Sequence, residues 1–145
     1  MRTGLAILLG IIVAFAVQAG IDVATSYFYP YAITDMWDRR QYSEAFAARP
    51  IGALLLTVLG YFLAGLIGGW VAKRISGRRF ACWVPPAVLA LTAIVLAFGY
   101  PLPAWTWFAM FAAPLIGGLF ANHLVADREA PADPTAAQAR ADASL

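Results

Sequence analysis

Hydrophobic positions dominate four long stretches of this chain, and polar residues collect in the short segments between them. The stretches predict helices at about residues 5–27, 51–73, 83–100 and 105–125. A helix needs about 20 mostly apolar residues to cross roughly 30 Å of hydrocarbon, and each stretch comes close to that length. The pattern therefore predicts an all-α, polytopic membrane protein, with four transmembrane helices in an antiparallel bundle formed by residues 1–126.

The composition agrees with this pattern. The 145 residues are 62% hydrophobic and 12% charged, whereas a soluble domain is typically about 45–50% apolar and about 25% charged. The formal net charge is only +2. Because the basic residues lie at the predicted membrane edges, nothing indicates nucleic-acid binding.

Small residues recur at every fourth position in two of the predicted helices, which places them on one helix face. In the second helix they are Gly60, Ala64, Gly68 and Ala72, and in the fourth they are Ala109, Ala113, Gly117 and Ala121. Small residues let helix backbones approach closely, so van der Waals contact can hold helices together in lipid. We therefore expect these residues to form helix-packing surfaces.

The first predicted helix also resembles a signal peptide, with Arg2 as its positive start and Val17-Gln18-Ala19 as a cleavage site. The apolar stretch, however, continues past that site as far as Ala24. The helix face that begins with Ala6, Gly10 and Ala14 likewise continues across it, through Gln18 and Asp22. The pattern favours a retained helix over a cleaved one.

Four basic residues with no acid among them follow the second predicted helix, and Gly77 is the expected helix stop. They are Lys73, Arg74, Arg78 and Arg79. Short loops rich in Lys and Arg stay in the cytoplasm, so these residues serve as the topology anchor. We expect both termini to be cytoplasmic and the chain to lie in a bacterial inner membrane.

The segment 33–49 is the one long connection between the predicted helices. Thr34 is suited to cap a short helix there, whose apolar residues would be Met36, Trp37, Tyr42 and Phe46. We predict a short interfacial helix lying on the membrane surface, with a binding lid as the alternative. The tail at 127–145 is rich in alanine and charge, so we expect it to be disordered in the cytoplasm.

Asp22 is the one acidic residue near a predicted membrane span, and Gln18 lies one turn deeper. An ionisable group within a membrane suggests a functional site, because charge is costly in hydrocarbon. Gln18 and Asp22 are therefore the candidate polar site. The alternative is an interfacial carboxylate that pairs with Arg39 or Arg40.

Catalytic and metal-binding patterns do not emerge from the sequence. Cys82 is the single cysteine and His123 the single histidine, and each lacks the partners that a nucleophile or a metal site needs. We therefore predict no enzyme activity, no catalytic residue, no metal and no cofactor.

An LIGG motif occurs twice, at residues 66–69 and 115–118, and an alanine follows three positions after each copy. A parallel repeat of two helical hairpins would produce this pattern. Convergence would also produce it, since helices that pack closely need small residues.

The chain resembles a widespread group of small bacterial four-helix membrane proteins that carry a GGxxAxRIxG signature after the second helix. The matching residues are Gly68, Gly69, Ala72, Arg74, Ile75 and Gly77. The resemblance covers residues 5–123. It implies the same four-helix topology and transfers no catalytic residue.

These observations favour a structural or accessory role, either as a helper subunit or as a self-associating membrane protein. The alternative is a minimal transporter or channel that forms by oligomerisation, with Gln18 and Asp22 lining its path. The expected partners are membrane lipids together with further copies of the chain or another membrane protein.

Overall fold

The computed structural model describes residues 2–30, 38–99 and 103–125. Their regular structure consists of α-helices: α1 (Arg2–Phe28), α2 (Arg39–Ala47), α3 (Ile51–Ser76), α4 (Arg79–Gly99) and α5 (Ala104–Leu124). Four of these, α1, α3, α4 and α5, are long and apolar enough to cross a membrane. The prediction of an all-helical chain with four such helices is therefore confirmed.

Helix α3 lies at the centre of the fold and contacts α1, α4 and α5. The buried residues around it are mostly small, with Tyr61, Leu89 and Met110 as the larger members of the core. Large apolar side chains instead point outwards on all four long helices, and Phe98 is 88% exposed. This distribution is the one expected when lipid covers the outside and small residues bring the helices together.

The contact between α1 and α3 brings backbone against backbone. A Cβ atom added to Gly10 would lie 2.7 Å from the carbonyl oxygen of Gly68, and one added to Gly68 would lie 2.8 Å from that of Gly10. Such distances exclude any side chain at either position unless a helix moves. Farther along the same pair of helices, Gly60 lies against Gln18. The contacts thus occur in opposite order along α1 and α3.

The contact between α3 and α5 is equally close. Gly65 packs on the backbone of Pro114, and Gly117 packs on the backbone of Phe62 and Leu66. Near one end of this contact, a Cβ on Gly69 would lie 3.3 Å from that of Ala121. The contacts occur in the same order along α3 and α5.

Helix α4 begins at Arg79, four positions before the predicted start at residue 83. Gly77 explains the early start, because its φ of 68° ends α3 with a left-handed turn and leaves a link of two residues. Pro85 and Pro86 consequently lie in the second turn of α4 rather than in its first turn. They leave the carbonyls of Ala81 and Cys82 without helical donors.

The segment 33–49 is described only from residue 38 onward, and it contains α2. The Oδ1 atom of Asp38 accepts hydrogen bonds from the backbone N–H groups of Arg40 at 2.9 Å and Gln41 at 3.4 Å. Asp38 is therefore the residue that caps α2. The predicted cap Thr34 lies outside the described residues, as do Met36, Trp37 and the tail at 127–145.

Candidate functional site

Gln18 and Asp22 lie one helical turn apart on α1, and the structure brings their side chains together. The Nε2 atom of Gln18 donates to both carboxylate oxygens of Asp22, at 3.2 and 3.3 Å. Gln18 is only 7% exposed, whereas Asp22 belongs to the exposed surface of the chain. The pair therefore connects a buried amide to an outward-facing carboxylate.

The amide of Gln18 lies in the contact between α1 and α3. A Cβ atom on Gly60 would lie 2.9 Å from Oε1 of Gln18 and 3.3 Å from its Nε2. Gly60 thus makes room for a polar side chain of the neighbouring helix. Within the described residues, Oε1 of Gln18 is a buried acceptor without a hydrogen-bond donor, an arrangement that normally costs about 1–3 kcal/mol.

The positive charge that acts on Asp22 belongs to Arg49, just before α3. The alternative of a pairing with Arg40 is not the one formed, because Nε of Arg40 pairs with Oε1 of Glu44 at 3.1 Å within α2. The side chain of Arg39 lies outside the described part of the chain. The positive charge that acts on the carboxylate therefore comes from the connection that enters α3 rather than from α2.

A second polar contact joins α3 to α5 at the opposite end of the helices. Lys73 is only 1% exposed, and its Nζ atom donates to the backbone oxygen of Asn122 at 2.8 Å and to Oδ1 of Asn122 at 2.9 Å. The remaining residues of the topology anchor, Arg74, Arg78 and Arg79, are exposed. Lys73 thus differs from its neighbours by pointing into the protein.

The position of Asn122 explains why an ammonium group is stable there. The last four carbonyls of a helix lack partners within that helix, and α5 ends at Leu124. A cation near a helix C-terminus also interacts favourably with the helix dipole. Lys73 therefore donates hydrogen bonds to acceptors at the end of α5, and these acceptors in turn stabilise the buried charge of Lys73.

Cys82 brings α4 into the same region. Its Sγ atom donates to the carbonyl oxygen of Gly118 at 3.6 Å, and the charge of Lys73 acts on the thiol. The carbonyl oxygen of Cys82 faces Gly69, where an added Cβ would lie 2.8 Å away. Three helices thus meet around Lys73, held by one charge-assisted contact and close backbone packing.

Sequence reasoning missed this contact, although a signal was present. Gly65, Gly69 and Lys73 follow one another at four-residue spacing, so Lys73 extends the α3 face that contacts α5 and α4. Gly118 and Asn122 show the same spacing on α5. A polar residue at the end of a small-residue face indicates a helix contact, even when neighbouring residues form a basic segment.

The predicted packing residues take the following positions. Seven are buried and Ala109 of α5 is half-buried; the buried ones are Gly60, Ala64, Gly68, Ala72, Ala113, Gly117 and Ala121. His123 is exposed near the end of α5. Among the described residues, no three His, Cys, Asp or Glu side chains come together in a way that could hold a metal ion.

Comparisons of the chain with protein-family models, with curated proteins and with solved structures find no match. The candidate sites are therefore interpreted from their own geometry. Gln18 with Asp22 can exchange hydrogen bonds or hold a cation near the end of α1, whereas Lys73 with Asn122 joins the ends of two helices.

Proposed function

We propose that this chain is a multi-pass protein of the bacterial inner membrane with a structural or accessory role. In this proposal α1, α3, α4 and α5 span the bilayer as an antiparallel bundle, and α2 lies on the membrane surface. Both termini are cytoplasmic. The protein acts as a helper subunit or as a self-associating membrane protein. The signature at residues 68–77 relates it by resemblance to a group of small four-helix membrane proteins, and that resemblance supports the topology alone.

The observation that carries this proposal is the use of polar groups as helix contacts. Gln18 packs on Gly60, and Lys73 is engaged by Asn122. A conduit needs polar side chains along a continuous path, whereas these groups each join two helices. Backbone-to-backbone packing at Gly65 further supports an interior that holds helices together.

The orientation is supported by the distribution of charge. Arg74, Arg78 and Arg79 are exposed around the two-residue link between α3 and α4. Short basic links remain cytoplasmic during membrane insertion. The even number of long helices then places both ends of the helical region on that same side.

An accessory protein must have a partner, and this can be tested directly. The tagged full-length chain would be isolated in native-lipid nanodiscs, and its companions would be identified by mass spectrometry. The proposal expects either a second copy or one defined membrane protein in stoichiometric amount. Recovery of single copies surrounded by lipid alone would contradict it.

The second candidate function is a minimal transporter or channel built from several copies. The observation in its favour is the buried, unpartnered Oε1 of Gln18 beside the outward-facing carboxylate of Asp22. In an oligomer these groups could line a shared path. This function expects ion flux in liposomes that the shape-preserving Asp22→Asn change abolishes, whereas the accessory role expects no such flux and a mild effect.

A further inference from the structure

The arginine elbow, defined as Arg78 and Arg79, is exposed at the link between α3 and α4. The nearby Lys73 points inwards to Asn122, so the outward charge of this link comes from arginine. A guanidinium group presents several N–H donors in a planar fork that matches phosphate oxygens. The elbow therefore has the chemistry to hold an anionic headgroup.

An apolar stripe runs along α4 directly after the elbow. Its members share one helix face, because they follow one another at spacings of three or four residues. They line a shallow groove and are Phe80, Trp83, Val84, Ala87, Val88 and Leu91. Phe80 is 72% exposed and Leu91 is 61% exposed, whereas Pro85 and Leu89 on the other face are buried.

The length of the stripe matches one leaflet of a bilayer. At 1.5 Å per residue, the rise from Phe80 to Leu91 is roughly 16 Å, which is about half of the 30 Å hydrocarbon thickness. Arg79 lies four residues before Trp83, on the same helix face. The positively charged Arg79 therefore lies at one end of a groove that is about as long as a single acyl chain.

We propose that the arginine elbow and the apolar stripe of α4 together bind an anionic phospholipid. The phosphate contacts Arg78 and Arg79, and one acyl chain lies along the stripe beside Trp83. Basic pockets next to membrane helices select anionic headgroups over zwitterionic ones by this electrostatic difference. The inference rests on the membrane placement proposed above, but on neither the accessory role nor the transport alternative.

Quenching of Trp83 fluorescence by brominated lipid tests the proposal. The full-length chain is reconstituted in phosphatidylcholine vesicles with a minor, equal fraction of phosphatidylglycerol. Bromine is carried on the acyl chains either of the phosphatidylglycerol or of an equal amount of phosphatidylcholine. The signal of Trp83 is the difference between the native chain and Trp83→Phe, which removes the contributions of the other tryptophans.

The proposal expects brominated phosphatidylglycerol to quench Trp83 more strongly than brominated phosphatidylcholine does. Removing each arginine, by Arg78→Gln or Arg79→Gln, should weaken the preference roughly fivefold. Arg2→Gln is the matched control, because Arg2 is exposed on the same proposed membrane side and precedes α1 rather than the stripe. It should leave the preference intact.

Three further results would overturn the proposal, and they can be told apart. Equal quenching by both brominated lipids would mean that the stripe meets ordinary bulk lipid, while the membrane placement stands. Absence of quenching by either lipid, together with release of the chain from membranes by alkaline carbonate, would remove the membrane placement itself. A preference that Arg2→Gln lowers as much as Arg79→Gln does would assign it to overall charge and reject the site.

Discussion

Lys73 donates hydrogen bonds from one Nζ atom to both the backbone oxygen and the side-chain oxygen of Asn122, at 2.8 and 2.9 Å. These residues lie on α3 and α5, and their hydrogen bonds connect the C-terminal ends of the two helices. A positive charge that is 1% exposed requires such partners, because burying a charge without them is costly. The pair therefore holds together the part of the protein from which the arginine elbow projects.

Replacing Lys73 by methionine keeps the length of the side chain and removes its charge and donors. We expect Lys73→Met to destabilise the fold by roughly 1.5–3 kcal/mol, because two charge-assisted hydrogen bonds are lost at the end of α5. Thermal unfolding in a mild detergent would measure the change. Arg74→Gln is the matched control, since Arg74 is exposed, and an equal loss in both variants would refute the role of Lys73.

A methyl group at Gly65 should force α3 and α5 apart at their closest contact. A Cβ there would lie 2.6 Å from Cα of Pro114, so one helix backbone must shift. We expect Gly65→Ala to cost about 1–3 kcal/mol, as overpacking usually does. The midpoint of thermal unfolding would report it.

Gly20→Ala is the control for that change. Nothing lies within 4 Å of a Cβ at Gly20, and this residue is also inside a long helix. Alanine favours a helix over glycine by up to about 1 kcal/mol, so Gly20→Ala should be neutral or stabilising. Similar destabilisation by both changes would mean that the close contact at Gly65 is not the cause.

The contact of Gln18 with Gly60 predicts coupling between the two positions. Gly60→Ala should be destabilising because its methyl group meets the Gln18 amide, 2.9 Å from Oε1. Shortening the opposing side chain by Gln18→Ala removes that clash. We expect a double-mutant cycle to give an interaction energy of about 0.5–3 kcal/mol, with the double variant more stable than the sum predicts. Simple additivity would contradict the contact.

The proposed orientation predicts which residues an impermeant thiol reagent reaches from outside intact cells. In a Cys82→Ala background, a cysteine introduced at Arg78 should be protected, because the link between α3 and α4 is proposed to be cytoplasmic. A cysteine introduced at Arg40 on α2 should react. Labelling at position 78 without labelling at position 40 would mean that the true topology is the reverse of the proposed one. Permeabilised cells provide the control, since both positions should react there.

The expected helix positions illustrate how far local patterns can predict this fold. The four apolar stretches predict four long helices, because a helix that crosses a bilayer needs a certain length and an apolar composition. Both properties can be read directly from the sequence. The start of α4 was placed too late because Pro85 and Pro86 were assigned to a first turn. Both prolines lie in the second turn of α4, where Pro85 packs against Gly68 and Pro86 packs against Gly118.

The candidate polar site was predicted in part. Asp22 and Gln18 are one turn apart, so helical geometry alone brings them together. The groups that act on them from elsewhere in the chain were not predictable from spacing, since the charge of Arg49 acts on Asp22 from just before α3 and Gly60 faces Gln18 from another helix. The basic residues beside Lys73 predict an exposed side chain that belongs to the topology anchor. Its side chain is buried instead, because it lies on the face of α3 that packs against α5.

The sequence alone thus determined that this chain forms four long apolar helices, with small residues on their faces and arginines at one link, because these are local properties of composition and period. Only the tertiary structure decided which faces meet. Helix α3 carries two surfaces of small residues. Their four-residue spacing does not indicate which surface packs against α1 at Gly10 and which packs against α5 at Pro114. That choice depends on the rotation of each helix, which close packing between distant segments determines. The same choice turned Lys73 inward and left Arg79 outside.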